Sequence, residues 1–514
     1  MRRLTAPFLG ALAGWRADLA ALGLGMLAAA AFPPVNLVPV LLVSIPGLLA
    51  LIGGAANWRV AGRRGFWFGF GNHLVGLYWI TEAILIESAR YWWLVPLAVP
   101  ALSALLALFV AVPCAIARWA PAGWRRVGLL AGTWVLFDMA RQFVGTGFPW
   151  NPFGSVWTIT GYLGNVFIQP AAWVGVHGLT LFTLLLAAVP ALGWRFTVAG
   201  AAALVAWAGF GAYRLSLPAP MPPGVIAVLV QGNVPQNEKQ DRQSGAAVFE
   251  RYLALTRQGV AEAQKLGGVD KPAIAVVWPE TASPFLLDRD SAARMAIWEA
   301  ARPAAVAIVG SVRFDAQRRP FNSLFALDGP DQVAGVYDKW HLVPFGEFAP
   351  SWVPFAVQMV PGSGFAFGSG PKTIHVPGLP PFGGFICYEA IYSAQLVDQA
   401  DRPAWLVNIT NDAWFGNSTG PRQHLAGARL RAVEEGLPLV RAANTGITVA
   451  FDALGRELAR LPPNTAASLV VTLPGARPRT AYSRLGLVVP VLLAIAVCAT
   501  SLGVGRKRET PHHN

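Results

Sequence analysis

The polar half of this chain contains a single cysteine, Cys387. It closes an apolar run from Phe382 and is followed by Tyr388 and Glu389. At a strand end, where the chain turns, a thiol is exposed as a nucleophile; inside a sheet it is a small packing residue. Cys114 and Cys498 fall in long apolar stretches and read as inert packing. Cys387 therefore has no disulfide partner in its own region. A thiol nucleophile needs a base to form thiolate. Glu280 offers one, just past the run that ends at Trp278, with Pro279 stopping the strand before it. A carboxylate in a dry site can serve as that base. The tetrahedral intermediate then needs cationic or N–H donors. The segment from Tyr337 to Glu347 supplies Lys339 and a second acid, Glu347, around an apolar turn; the Tyr388 N–H is a further donor. Each site alone has an ordinary explanation, since a lysine among aromatics usually snorkels at a surface.

These residues need elements to hold them, and the composition divides the chain. Of 514 residues, 54% are hydrophobic and 13% charged, against about a quarter charged in soluble domains. Mean hydropathy is +0.46, which excludes an ordinary cytosolic enzyme and a disordered chain. The net charge of +13 could suggest nucleic acid. Its distribution argues otherwise: residues 1–214 hold 13 arginines and four acids, whereas 215–505 hold 24 basic and 22 acidic residues. The excess lies in the hydrophobic part, so no nucleic-acid partner is expected.

A membrane-crossing helix needs about 20 apolar residues. Leu19 to Trp58 lacks any charge and is broken by Pro33, Pro34 and Asn36, which gives two spans. Gly65–Thr81, Tyr91–Ala117, Val127–Gly145, 170–193, Phe196–Tyr213 and Leu485–Gly505 bring the expectation to eight. With the N-terminus inside, 13 basic residues fall in inside segments and only Arg90, Arg141 and Arg214 in short outside ones. This asymmetry predicts cytoplasmic termini and an outward-facing 215–483. The first span is expected to be retained, because no small-residue cleavage site follows it. His73, Glu82, Asp138 and Arg141 either line a lipid access path or sit at interfaces and pair with one another.

Segment 215–483 follows a stiff stretch holding Pro218, Pro220, Pro222 and Pro223. Short β-rich runs alternate there with helical stretches at 245–266, 290–302 and 422–436, which predicts an α/β domain. No P-loop, glycine-rich dinucleotide fingerprint or paired metal-ligating histidines occur, so neither cofactor nor metal is expected. The domains expected are 1–214, seven spans; 215–483, the chemistry; and 484–514, the eighth span with a basic tail.

Glu280, Lys339 and Cys387, in that order and each at a strand end, resemble the nitrilase (carbon–nitrogen hydrolase) superfamily. Phe148–Trp150, Val230–Gln236, Trp278–Thr281, Tyr337–Glu347, Cys387–Glu389 and Asn411–Gly416 extend the resemblance, over nearly the whole chain, to the apolipoprotein N-acyltransferase family. The resemblance implies an αββα sandwich facing the periplasm and a multi-pass protein of the bacterial inner membrane. It implies Glu280 as base, Lys339 as oxyanion donor and Cys387 as nucleophile. Tyr388, Glu347 and Glu389 would support them, and Asn322, Trp414, Phe415 and Phe365 would contact substrate or form a lid. It also implies a phospholipid acyl donor, a diacylglyceryl apolipoprotein acceptor and a monomer working without cofactor. One departure stands out: Lys239 is followed by Gln240, where the family often has tryptophan. The apolar stretch Phe348–Pro371, with Trp352, Val353, Phe355, Val357, Met359 and Val360, reads as a membrane-dipping lid or as a loop packed on its own domain. Two rivals remain at this point: a membrane-tethered amidase, which shares the triad, and a transporter, which leaves the triad unexplained.

Overall fold

The computed structural model describes residues 6–503 except 87, 223, 241–242, 267–271 and 351–363, and at 6–8, 89, 90, 237 and 240 the backbone alone. Arg2, Arg3, the basic tail, the Gln240 side chain and the lid residues Trp352–Val360 lie outside the described residues.

Apolar stretches form helices Gly14–Ala29, Leu41–Gly53, Trp58–Gly76, Val95–Ala117, Trp124–Ala140, Ala171–Leu192, Trp194–Ser216 and Val488–Leu502. Among the described residues, Trp92–Ala117, Ala171–Leu192 and Trp194–Ser216 are long and apolar enough to cross a membrane; Val38–Gly53 and Val488–Leu502 are apolar but shorter. The expectation of eight spans is thus met by three on length and apolarity. Trp58–Gly76 carries Arg59, Arg63 and Arg64, which lower its hydropathy. Ala171–Leu192 is mostly buried and central, whereas Trp194–Ser216 is peripheral. Close packing relies on small residues: a Cβ on Gly25 would lie 2.0 Å from Phe68 O, and one on Gly71 2.3 Å from Leu22 O. Leu97, Leu105, Leu108, Val205, Leu492 and Ile495 point outward, an apolar surface that water would penalise and lipid would not. Four helices carry, at their first or second residue, an exposed tryptophan whose ring lies within 5.7 Å of the next arginine: Trp15–Arg16, Trp58–Arg59, Trp124–Arg125 and Trp194–Arg195.

Residues 225–472 form two six-stranded sheets. The first contains β1 (Val225–Gln231), β2 (Ala273–Val277), β3 (Val306–Phe314), β4 (Pro320–Leu327) and β5 (Val333–Asp338). The second contains β6 (Thr373–Val376), β7 (Leu379–Ile386), β8 (Trp405–Thr410), β9 (Leu439–Ala443), β10 (Thr448–Phe451) and β11 (Glu457–Leu461). The last strand, β12 (Ala467–Thr472), returns to the first sheet beside β1. Each sheet has three central parallel strands, β1–β2–β3 and β7–β8–β9, with antiparallel margins.

Strand periodicity explains the layers. Val225, Ala227 and Leu229 face the second sheet, where they meet Phe382, Trp405 and Val407. Ile226, Val228 and Val230 face outward onto helices Gly245–Leu266 and Ser291–Ala301. Helix Gly420–Glu435 covers the other outer face through Leu425, Ala428 and Ala432. Its opposite side, with Leu430 and Val433, enters the core of the apolar helices. The result is the expected αββα sandwich, seated on those helices. The sequence reading did not anticipate β4, β5, β6 and β11. These are hairpin partners and margins; β5 and β11 are partly exposed, so neither shows a continuous apolar run.

Candidate active site

Glu280 follows β2, where Trp278, Pro279 and Glu280 leave the sheet. Its loop is tightly set. Thr281 has φ +44°, costing a β-branched residue about 1–3 kcal/mol. Strand β3 passes so close that a Cβ on Gly310 would lie 2.3 Å from Pro279 O. Lys339 directly follows β5, and its ammonium Nζ reaches Glu280 Oε1 at 3.2 Å and the Glu347 carboxylate at 2.9 Å. Asn322 on β4 donates to both acids, at 2.7 Å to Glu280 and 2.9 Å to Glu347. The second Glu280 oxygen accepts the Asn411 N–H at 2.9 Å, and the second Glu347 oxygen accepts the Val343 N–H at 2.8 Å. All four side chains are buried.

Cys387 follows β7 directly and adopts φ +51°. This left-handed turn lifts a buried thiol out of the strand, near enough to Glu280 and Lys339 to feel both charges. The carbonyl of Cys387 accepts from His424 Nε2 at 2.8 Å. His424 is itself set by Asp412 at 3.0 Å, and Arg441 reaches Asp412 at 2.8 Å. Glu389 fastens two elements together. It accepts from the N–H groups of Ile386 (2.6 Å), Trp340 (2.9 Å) and His341 (3.1 Å) and from the Tyr337 hydroxyl (2.8 Å). One carboxylate thus joins the cysteine turn to the lysine loop.

The electrostatics follow from burial and charge. Burial opposes the charge on Glu280, yet Lys339, the Asn322 hydrogen bond and Lys239 hold its carboxyl below the usual range. Burial also opposes the charge on Lys339, and Glu280 and Glu347 more than restore it. Burial and the nearby Glu280 push the Cys387 thiol up, against the pull of Lys339. The resting site is therefore thiol, carboxylate and ammonium. The arrangement suits proton transfer to Glu280 as the sulfur attacks, with a cation beside the developing oxyanion.

The structure brings together Glu280, Lys339, Cys387, Glu347, Glu389 and Asn322. Tyr388 has a side-chain contact that the sequence did not suggest. Its hydroxyl donates to Gly147 O at 2.8 Å, and its ring lies 6.2 Å from Phe148, both in the loop between two apolar helices. Phe415 joins the same wall, 4.8 Å from Trp79 and 6.0 Å from Trp150. Trp414 is half-buried beside it. Phe365 is half-buried, with its N–H on Glu347 O at 2.8 Å. Sequence reasoning noted Lys239 only for the Gln240 that follows it and missed its role in the site: its Nζ donates to Glu280 O and Thr281 Oγ1, each at 2.8 Å. It also missed Asn411 as a donor and the Asp412–His424–Arg441 set. The available signal was charge inside apolar runs: Arg441 sits in fully buried β9, which demands a buried acid.

A carboxylate, a lysine and a cysteine at three strand ends of an αββα sandwich, walled by apolar helices, define a membrane-associated protein of the carbon–nitrogen hydrolase class. Residues 229–480 match the family model for carbon-nitrogen hydrolase, and residues 24–189 match that for the apolipoprotein N-acyltransferase N-terminal domain. An apolipoprotein N-acyltransferase of Bradyrhizobium diazoefficiens is 40% identical over 94% of this chain and 94% of its own. Another, from Rhodopseudomonas palustris, is 37% identical over 96% of each. The chain belongs to the apolipoprotein N-acyltransferase family.

Proposed function

We propose that this chain transfers a fatty acyl group from the sn-1 position of phosphatidylethanolamine to the α-amine of the diacylglyceryl-cysteine of apolipoproteins. The observation that carries this reading is the wall of the site: Tyr388, adjacent to the nucleophile, is held by Gly147 and Phe148 of the apolar-helix region. An amidase for small polar molecules has no use for such a wall, and nothing observed favours that reading.

In the first half-reaction Glu280 takes the Cys387 proton as sulfur attacks the ester carbonyl. Lys339 and the Tyr388 N–H stabilise the oxyanion. The intermediate collapses, the lysophospholipid oxygen takes the proton from Glu280, and the acyl group remains as a thioester. In the second half the α-amine attacks the thioester carbon and gives a proton to Glu280. The thiolate leaves and is reprotonated, and an amide results. Water must be kept out, or the thioester is hydrolysed.

The lipid-anchored substrates require the site at the outer surface of the bilayer. The proposed topology is eight spans in the bacterial inner membrane with cytoplasmic termini. Residues 1–214 and 484–514 form the membrane part and 215–483 the periplasmic catalytic domain. The excess of inside arginines supports it, as do the four Trp–Arg helix starts, which suit an interfacial belt. The shorter helices then cross with help from arginines reaching toward the interface.

The test is peptide mass spectrometry of enzyme incubated with phosphatidylethanolamine vesicles. A hydroxylamine-labile acyl mass on the Cys387 peptide, absent in Glu280→Ala, is expected. A persistently free thiol under turnover conditions would overturn the reading.

A further inference from the structure

Lys239 lies on the short helix Gln236–Gln240, and a closed ring of hydrogen bonds ties that helix to Glu280. Gln236 Oε1 accepts from Asn411 Nδ2 at 2.9 Å, and the Asn411 N–H donates to Glu280 Oε2 at 2.9 Å. Lys239 Nζ closes the ring on Glu280 O and adds Thr281 Oγ1, both at 2.8 Å. The helix is itself anchored through Asn444, which donates to Val234 O at 2.7 Å and to Asn411 Oδ1 at 3.0 Å. The loop is therefore gripped on one side by the missing Cβ of Gly310 and on the other by Lys239. The grip falls on Thr281, whose left-handed backbone a threonine leaves when released.

Charge gives the contact a second consequence. At rest, two ammonium groups, Lys239 and Lys339, face two carboxylates, Glu280 and Glu347. When Glu280 takes the thiol proton, negative charge moves onto sulfur and then onto the oxyanion, leaving the total unchanged. Lys239 is half-buried, and its ammonium makes charge-assisted bonds to Glu280 O and Thr281 Oγ1 that a neutral amine makes more weakly.

We propose that Lys239 is a positioning residue for the general base. Its ammonium locks the Pro279–Thr281 turn, so that Glu280 stays aimed at Cys387. The inference rests on the acyl-transfer reading above. The charged and titratable groups around Lys239 are Glu280 and Cys387, then Lys339 and Glu347 behind Glu280, and the Glu238–Arg251 pair at 3.0 Å on its own side. Burial lowers Lys239 to about 8 despite Glu280 and Cys387. Its charge is therefore present below that pH and lost above it.

The test is the single-turnover rate of thioester formation on Cys387 in the full chain, with phosphatidylethanolamine vesicles, from pH 6 to pH 9.5. In the unsubstituted enzyme the rate is expected to fall as pH rises through about 8. Lys239→Met is expected to slow acylation roughly a hundredfold, as does loss of one preorganised donor, to leave the lipid concentration dependence unchanged, and to abolish the alkaline fall. Lys239→Arg keeps a charge at every pH tested, so its rate is expected to persist beyond the point where the parent declines. Lys239→Met acylating at the parental rate would overturn the proposal. So would an alkaline fall at the same pH in Lys239→Arg, which decides the matter even where Lys239→Met does not fold. Absence of any thioester in the unsubstituted enzyme would instead sink the acyl-transfer reading itself.

Discussion

Two buried charge networks in this molecule look alike and end differently. At the strand ends, Glu280, Asn322, Lys339 and Glu347 converge on a thiol held at positive φ. Where the sandwich meets the apolar helices, Asp138 takes a very short contact from Arg141 and one from His177 at 3.2 Å. Gln142 bridges His177 at 3.0 Å and the Ser393 N–H at 3.0 Å. Ser393 donates to Glu434, which also accepts the Val176 N–H at 2.8 Å and Arg431 at 3.0 Å. This second network ends on side chains and backbone within the fold, with no thiol nucleophile at its end among the described residues. Burial of charge alone therefore does not mark chemistry here; what the network terminates on does. Asp138 and Arg141 pair with each other, one of the two outcomes the sequence left open, and His73 lies 2.7 Å from Gly69 O.

The largest effect should come from the end of the first network. Cys387→Ser and Glu280→Gln are expected to lower acyl transfer at least about a thousandfold, with the thermal midpoint of the purified protein nearly unchanged. Next come changes to the second network. Asp138→Asn leaves Arg141 unpaired and buried, which costs about 3–5 kcal/mol. The midpoint should drop sharply, while acylation per folded molecule stays close to parental. If Asp138→Asn instead abolished thioester formation in folded protein, the distinction between the two networks would collapse.

A finer probe is pH. Burial raises Glu434 from 4.5 to about 7, although Arg431, the Val176 N–H and Ser393 favour its charge. A carboxyl that protonates more readily in the folded protein than in the unfolded chain weakens folding as pH rises between those values, and adds nothing above them. The parental midpoint should therefore decline from pH 5 to pH 7. Glu434→Gln should flatten that decline, an effect smaller than that of Asp138→Asn. An unchanged slope would remove Glu434 from the second network's account.

The two networks also differ in how far the sequence revealed them. Glu280, Lys339 and Cys387 stand at the ends of apolar runs, so strand pattern and residue type together point to them. Their supports come through space. Arg441 reaches Asp412 because β8 and β9 run parallel with Asn408 opposite Arg441. Tyr388 meets Gly147 across 241 positions of chain. No local period encodes either contact. Among the helices, Trp58–Gly76 was legible only in part, since the expected span Gly65–Thr81 starts after its arginines. Its arginines hide it from a hydropathy criterion while suiting a membrane boundary. Marginal strands such as β5 and β11 escaped because one face is exposed and the pattern thins.

The smallest effects should come from aromatics that border the first network without joining it. Phe365 is tied to Glu347 O through its backbone, a bond that Phe365→Ala preserves. Trp414 is half-buried next to Phe415, so its removal should leave the Glu280–Lys339–Glu347 geometry intact. If these rings touch the lipid chain, each substitution loses part of a contact worth about 1–3 kcal/mol. That loss should appear as a several-fold rise in the phosphatidylethanolamine concentration needed for half-maximal acylation, at unchanged kcat. A fall in kcat without that rise would assign the rings to holding the carboxylates, and would extend the first network outward to them.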